Sequence, residues 1–225
     1  MRQLNIKSLD KSYQAIDVLS KVDLCYSSGT INGVIGINGS GKSTLLNCIG
    51  GYISYGGTIE RININSVGLL SANPYMFPRI TGNEFVNFAL SAKKQKVDVK
   101  QLNRLNSLFE LPLNRFADEY STGMLKKLHL LALLLQQNDL LLLDEPFNGL
   151  DGLSSAYLSQ ILLELRKQDV MIIISSHDIN RIVEICDTIT VVENGTAYIR
   201  PKLDNDIQKE LELRARNEIE RIFNN

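Results

Sequence analysis

The chain has 225 residues, 44% of them hydrophobic, and it carries a formal net charge of −1. That composition supplies a sizeable core and argues against disorder, while the near-neutral charge gives no electrostatic basis for nucleic-acid binding. The three cysteines, Cys25, Cys48 and Cys186, form no Cys-x-x-Cys pair. Their spacing argues against a disulfide framework or a zinc site and favours reduced thiols in a cytosolic protein.

The first third of the chain is predicted to be rich in strands. Alternating or continuous apolar residues predict strands at 3–9, 18–26, 31–35, 58–61 and 66–70. We expect a polar connection at 11–16 between the first two. The third strand runs into a Gly-rich loop and then a helix at 42–49, which Gly50 and Gly51 end.

The Gly-rich segment 36–44, Gly-Ile-Asn-Gly-Ser-Gly-Lys-Ser-Thr, matches the phosphate-binding loop pattern G-x-x-x-x-G-K-[ST]. Its glycines let backbone N–H groups turn towards phosphate oxygens, and the helix N-terminus adds partial positive charge. Lys42 can reach the β- and γ-phosphates, and the Ser43 hydroxyl can bind Mg²⁺. The strand and helix on either side disfavour a chance Gly-rich turn. The predicted nucleotide-binding residues are Gly36, Asn38, Gly39, Ser40, Gly41, Lys42, Ser43 and Thr44.

Residues 78–137 are predicted to be mostly helical and inserted between two strand-rich parts. A helix start is expected at 81–84, where an acidic residue falls in the first turn. Apolar residues recur at helical spacing through 99–109, and 124–136 is strongly apolar and compatible with a helix. The basic run at 93–96 is expected to be a solvated loop.

Strands and helices alternate in the last part of the chain. The predicted strands lie at 140–143, 170–174, 188–193 and 196–199, and the predicted helices at 153–168, 178–186 and 204–223. Continuous apolar runs such as 140–143 are typical of buried parallel strands and are too short to span a bilayer. The predicted fold class is α/β: a P-loop NTPase core with a mainly parallel sheet, an antiparallel β portion and an inserted helical subdomain.

Two acidic residues follow the predicted strand at 140–143. A buried strand that ends in an acid beside a phosphate-binding loop is the usual arrangement for holding Mg²⁺. We therefore expect Asp144 to bind the metal, through water, and Glu145 to act as general base on the attacking water. Two acids that merely cap a strand are the alternative, which Lys42 upstream makes less attractive.

Two more segments place polar groups where a phosphate could bind. Ser121 precedes a helix and is a good N-cap, and free N–H groups at a helix start attract anions. His177 lies just past the strand at 170–174, and ligands of open α/β sheets bind at the carboxyl ends of strands. A histidine there can hydrogen-bond a γ-phosphate, although a surface histidine without function is the simpler reading of His177 alone.

Together these segments resemble the ATP-binding cassette of ABC transporters. Residues 120–124, Tyr-Ser-Thr-Gly-Met, look like the signature sequence of the family in its Y-S-x-G-M variant. Residues 148–151 look like its D-loop, and 67–74 align with its Q-loop. His177 matches the switch histidine, and Tyr13 stands where the family places an aromatic residue that stacks on adenine. The resemblance covers nearly the whole chain, with every motif in family order and at family spacing.

The resemblance implies an ATPase that uses ATP and Mg²⁺. It implies one nucleotide-binding domain with an α/β core at about 1–77 and 138–200 and a helical lobe at about 78–137. Two copies, identical or different, would pair head to tail, each ATP lying between the phosphate loop of one copy and Ser121 and Gly123 of the other. A separate permease would hold the pair at the cytoplasmic face of a membrane. The signature and the short C-terminus look more like those of drug and antibiotic exporters than of importers.

Two positions depart from the family pattern. Thr122 replaces the first signature glycine, and Ala72 stands where the Q-loop usually has Gln, with Asn73 one position away. The second departure leaves open a regulatory subunit that binds ATP but barely hydrolyses it. The other alternative is a non-transport ABC ATPase of translation or DNA maintenance, but neither a second cassette, nor a long coiled coil, nor an excess of basic residues is present.

Overall fold

A computed structural model describes residues 1–201, so the predicted helix at 204–223 lies outside the described residues. The strands in this part are β1 (Gln3–Tyr13), β2 (Ile16–Ser27), β3 (Ile31–Ile35), β4 (Gly56–Ile62), β5 (Val67–Leu70), β6 (Leu140–Asp144), β7 (Met171–Ser175), β8 (Thr188–Glu193) and β9 (Thr196–Pro201). The α-helices are α1 (Lys42–Gly50), α2 (Gly82–Ser91), α3 (Val99–Phe109), α4 (Thr122–Leu135), α5 (Gly152–Lys167) and α6 (Ile179–Ile185).

The larger sheet has the order β5-β6-β7-β3-β8-β9, and its first five strands in this order are parallel. β9 returns antiparallel to β8 after the turn at Asn194 and Gly195. Parallel neighbours end at one edge of a sheet, and the register pairs Asp144 at the end of β6 with Ser175 at the end of β7. The predicted acids and the predicted histidine segment therefore meet at the same edge.

The strands β6 and β7 are buried on both faces, as their continuous apolar sequences predict. Leu141 and Leu143 belong to the hydrophobic cluster under helices α2–α6. Leu140 and Leu142 belong to a second cluster, which α1 and the antiparallel strands cover. The parallel strands thus lie between two apolar layers.

A smaller antiparallel sheet has the order β2-β1-β4. The predicted polar connection at 11–16 is wrong, because β1 continues to Tyr13 and β2 begins at Ile16, with Gln14 at φ +54° in the turn. The paired ends of these strands are mostly exposed, so no buried face imposes the alternation that marks a strand in sequence.

Helices α2, α3 and α4 lie between β5 and β6, within the segment predicted to be helical. Thr81 begins α2 with a capping box: its hydroxyl accepts from the Glu84 N–H at 3.2 Å, and the Glu84 carboxylate accepts from the Thr81 N–H at 2.8 Å. Among the described residues, no helix has the length and apolar character needed to cross a bilayer. The division of the chain into two lobes remains a prediction.

Candidate functional site

The loop between β3 and α1 has the backbone that a phosphate cradle needs. Gly39 and Gly41 have φ values of +81° and +108°, which side-chain-bearing residues rarely adopt. A Cβ at Gly36 would lie 2.4 Å from the carbonyl oxygen of Val192, so no larger residue fits at the start of the loop. Asn38 and Gly39 are exposed at its tip, where a ligand can approach the backbone.

The side chain of Lys42 lies inside this loop. Its Nζ donates hydrogen bonds to the carbonyl oxygens of Gly36 at 2.8 Å and Ile37 at 3.1 Å. Burial lowers the pKa of Lys42, and the negative charges of Glu145 and Asp144 act in the opposite direction. The sheet edge therefore brings the phosphate loop and the two acids within electrostatic range of each other.

The residues of the loop fit a phosphate group. Ser40 Oγ is buried and has no hydrogen-bond partner within residues 1–201, so a phosphate oxygen would supply the partner that the protein does not. Ser43 is exposed in the first turn of α1, where its hydroxyl is free to bind a cation, and Thr44 follows half-buried.

Asp144 is held at the end of β6. Asp144 is 4% exposed, and its carboxylate accepts a hydrogen bond from the hydroxyl of Ser175 on β7. The described residues contain no group of three or more His, Cys, Asp or Glu side chains that could hold a metal by themselves. Ser43 and Asp144 suit Mg²⁺, which keeps several waters and is usually bound by one or two protein ligands and phosphate oxygens.

Glu145 and His177 are paired at the same edge. Glu145 Oε2 lies 3.0 Å from His177 Nδ1, and the side chain of Glu145 is only 13% exposed while that of His177 is 58% exposed. The two residues are 32 positions apart in sequence and meet because β6 and β7 are neighbours. The arrangement gives one sheltered carboxylate beside an imidazole that faces solvent.

Tyr13 lies at the end of β1 with 47% of its surface exposed. The ammonium of Lys11 lies 4.9 Å from the centre of its ring, as in a cation–π contact. Lys11 therefore covers one face of the ring. Other parts of the ring are exposed, which leaves room for a stacked base.

Ser121 and Gly123 are placed at the start of α4. The Ser121 hydroxyl accepts from the Met124 N–H at 3.2 Å, which makes it the N-cap that the sequence predicts. A Cβ at Gly123 would lie 2.4 Å from the carbonyl oxygen of Gly149, so α4 packs directly on the 148–151 segment. Within residues 1–201, no hydrogen bond joins Ser121 or Gly123 to the phosphate loop.

A salt bridge strengthens the contact between α4 and the 148–151 segment. Lys127 Nζ lies 2.7 Å from Asp151 Oδ2, and Asp151 also caps α5 by accepting from the Ser154 N–H at 2.8 Å. These hydrogen bonds hold the pKa of Asp151 far below its usual range, and the hydrogen bond from Lys127 has the largest effect.

Ala72 and exposed Asn73 lie in the irregular segment after β5.

Two residues that touch the acids were given no role from the sequence. Ser175 binds Asp144, and Lys126 donates to the carbonyl oxygen of Glu145 at 2.9 Å. Lys126 gives no distinct signal in the sequence, because Lys127 and His129 also interrupt the apolar residues of α4. The contact of Ser175 with Asp144 depends on the register of β6 against β7, which local sequence does not contain.

Comparisons with known proteins identify the family of the chain. Residues 19–148 match the family model described as ABC transporter. The chain is similar to the probable sulfate/thiosulfate import ATP-binding protein CysA of Chlorella vulgaris, with 31% identity over 84% of this chain and 87% of that protein. It is also similar to the bacitracin transport ATP-binding protein BcrA of Enterococcus faecalis, with 30% identity over 85% of this chain and 67% of that protein.

A solved structure has the same fold. It is the dimeric structure of a post-hydrolysis state of the ATP-binding cassette MJ0796, bound to ADP and Pi. The superposition has a TM-score of 0.80 at 21% identity and covers 89% of this chain and 99% of that chain. The predicted fold class, α/β with parallel and antiparallel sheets and inserted helices, is thereby confirmed.

Proposed function

This chain belongs to the family of ABC transporter ATP-binding proteins, and from that premise we propose that its ATPase activity powers a separate membrane permease. Members of the family use ATP and Mg²⁺. The observation that carries the proposal is the pairing of Glu145 with His177 at 3.0 Å, at the sheet edge that also holds Lys42 within electrostatic range. A binding module without hydrolysis would not require a sheltered carboxylate there.

The proposed mechanism assigns a role to each group. The loop N–H groups and Lys42 would bind the β- and γ-phosphates, and Ser43 and Asp144 would hold Mg²⁺. When bound, Mg²⁺ would offset the negative charge that develops on the phosphate. Glu145 accepts the proton of the attacking water, and His177 orients its carboxylate. Ser175 fixes the carboxylate of Asp144, so that its free oxygen points in one direction.

A dimer would complete the site. Ser121, exposed at the N-terminus of α4, would contact the γ-phosphate bound to a second copy, with Gly123 beside it. The dimeric state of the similar MJ0796 cassette supports this arrangement for the present chain. A γ-phosphate shared by two chains would couple ATP binding to closure and hydrolysis to opening.

Three exposed aromatic residues near the Q-loop support a contact with the permease, and hence a location at the cytoplasmic face of a membrane. The rings of Tyr75 and Phe77 lie 5.5 Å apart and those of Phe77 and Phe88 lie 5.9 Å apart, each pair edge to face. All three side chains are exposed, and such an apolar patch is typical of an interaction surface. We call Tyr75, Phe77 and Phe88 the aromatic patch.

Co-expression with a membrane protein encoded beside this chain, if its neighbouring gene encodes one, would test the proposal. We expect the two chains to purify together and the permease to change the ATPase rate. Phe77→Ser with Phe88→Ser should abolish both effects and leave the rate of the isolated chain unchanged. Tyr52→Ser is the matched control, because Tyr52 is an exposed aromatic residue outside the patch. Co-purification that survives loss of the patch would contradict this docking surface.

We further propose that the transport is outward. The Y-S-x-G-M form of residues 120–124 and the similarity to a bacitracin transport protein support export, while the similarity to an import protein argues for the opposite direction. Inside-out vesicles that carry the complex should accumulate an exported peptide antibiotic when ATP is added.

A regulatory subunit with little hydrolysis is the second candidate function, and Ala72 favours it. A full rate of phosphate release would eliminate this candidate.

A further inference from the structure

A buried lysine of α4 lies against the backbone of Glu145. Lys126 is 3% exposed, and its Nζ donates a hydrogen bond to the Glu145 carbonyl oxygen at 2.9 Å. Burial lowers the pKa of Lys126, and the negative charges of Glu145 and Asp144 oppose that change. A buried cation is costly unless it is hydrogen-bonded and near opposite charge, so apolar packing alone does not explain a lysine at this position.

The backbone that Lys126 holds is unusual. Glu145 has a φ of +48°, in the left-handed region that residues other than glycine seldom occupy. Its N–H donates to both the carbonyl and the hydroxyl oxygen of Ser175, each at 3.1 Å. Its carbonyl oxygen accepts from Lys126 and, at 3.3 Å, from the Asn148 N–H. The strained residue is therefore fixed on both sides of its Cα.

We propose that Lys126 is a positioning residue for ATP hydrolysis, which holds the Glu145 backbone in the conformation that directs the carboxylate to the reacting water. The inference rests on the proposed function, in which Glu145 is the general base. Ser121 and Lys126 belong to the same helix, so one rigid element carries both the signature serine and the support for the base. A displacement of about 1 Å at a reacting group can cost about 10²-fold in rate.

The test begins with Lys126→Met in the full-length chain, because methionine keeps much of the length and removes the donor. We expect kcat to fall about 10- to 100-fold, while KM and the affinity for MgATP stay within about twofold of the wild type. Lys126→Arg restores a charged donor and should recover part of the lost kcat. A merely structural role would not separate kcat from nucleotide affinity in this way.

Lys93→Met is the matched control. Lys93 is a half-buried lysine whose pKa is also lowered by burial, and its Nζ donates to the carbonyl oxygen of Val67 at 2.8 Å. Its hydrogen-bond partners, Val67 and Asn138, lie outside the proposed catalytic site. Both variants should lower the unfolding temperature, but only Lys126→Met should lower kcat by more than about twofold.

A double variant shows whether Lys126 acts through Glu145. If it does, adding Lys126→Met to Glu145→Gln should cost little beyond Glu145→Gln alone, because residues that act as a unit are not additive. Additive losses, or equal losses of kcat in Lys126→Met and Lys93→Met, would overturn the proposal. Near-normal turnover of Glu145→Gln would instead overturn the assignment of the base, and the two failures are thus distinguishable.

Discussion

The charges of Lys42, Glu145 and Asp144 determine which ligands the site can bind. Lys42 is 7% exposed, and its charge is supported by Glu145 and Asp144. A bound nucleotide adds several negative charges to this cluster, which Mg²⁺ and Lys42 would offset together. The two acids therefore stabilise the positive charge of Lys42 inside the loop.

The exposed ring of Tyr13 is proposed to stack on the adenine of bound ATP. Base stacking on an aromatic side chain contributes about 1–3 kcal/mol, so Tyr13→Ala should weaken ATP binding about 5- to 150-fold. The rate of hydrolysis of bound nucleotide should change little, because the ring is proposed to contact the base and not the phosphates. A titration with a fluorescent ATP analogue measures the affinity. Tyr13→Phe is the control and should bind as the wild type does; equal affinity of Tyr13→Ala would remove the stacking role.

The Q-loop position provides the second prediction. Ala72 offers no side-chain oxygen, and water can replace one Mg²⁺ ligand, so MgATP should still bind while the attacking water is less well positioned. Ala72→Gln should therefore raise basal phosphate release in the isolated chain. Asn73→Ala should leave the rate unchanged unless Asn73 has taken over the role. If neither variant alters the rate or its Mg²⁺ dependence, this loop has no part in the chemistry.

At the scale of elements, α4 connects several parts of the site. Its N-terminus carries Ser121, Lys126 reaches Glu145, and Lys127 reaches Asp151. Further along, His129 packs on Phe85, with ring centres 4.6 Å apart, and hydrogen-bonds the backbone of Tyr75. A displacement of α4 would therefore change the surroundings of Glu145, of the 148–151 segment and of the residues next to the aromatic patch.

His129 gives a prediction for stability against pH. Burial lowers the pKa of His129 from 6.5 to about 4. Between these values the unfolded chain binds a proton that the folded chain does not, so the free energy of unfolding should fall as the pH decreases from about 6.5 to 4. The loss for this group is on the order of 2–3 kcal/mol. Urea unfolding at pH 7 and pH 4.5 measures it.

The matched variant is His129→Leu, which cannot take up the proton. Its free energy of unfolding should decrease less than that of the wild type over the same pH interval, and the difference isolates His129 from the carboxylates. Identical pH dependence in the two proteins would contradict a buried neutral histidine.

Most helices and strands, and part of the site, could be predicted from local sequence. The glycines of the phosphate loop and the apolar runs of β6 and β7 carry their own signals, because turn geometry and double-sided burial select residue types directly. The end of β1 at Tyr13 was missed because its neighbours are exposed. The hydrogen bonds from Ser175 and Lys126 depend on packing between distant segments, so no local pattern reports them.

At the scale of the whole molecule, the site is open at one side. The parallel sheet places the phosphate loop, Asp144, Glu145 and His177 at one edge, while Ser121 at the start of α4 makes no hydrogen bond to this cluster among the described residues. The proposed dimer joins the two parts across two chains. Neither copy would then hydrolyse ATP efficiently alone.

Mixing two inactive variants tests this composite site. Lys42→Ala disables the phosphate loop of its own copy, and Gly123→Asp blocks the contribution to the partner copy, since even a Cβ at Gly123 meets the Gly149 carbonyl. Each homodimer should be inactive, and a mixture should regain partial phosphate release from one intact site in each mixed dimer. A mixture that stays inactive together with the permease would contradict independent composite sites.

The carboxylate of Glu145 is proposed to be the base for ATP hydrolysis. Steady-state phosphate release by Glu145→Gln, at saturating MgATP, tests it most directly. Glutamine keeps the size of the side chain and a hydrogen-bonding oxygen but cannot accept the proton of water at neutral pH. We expect a loss of at least about 10²-fold with MgATP affinity retained. Turnover near that of the wild type would contradict it.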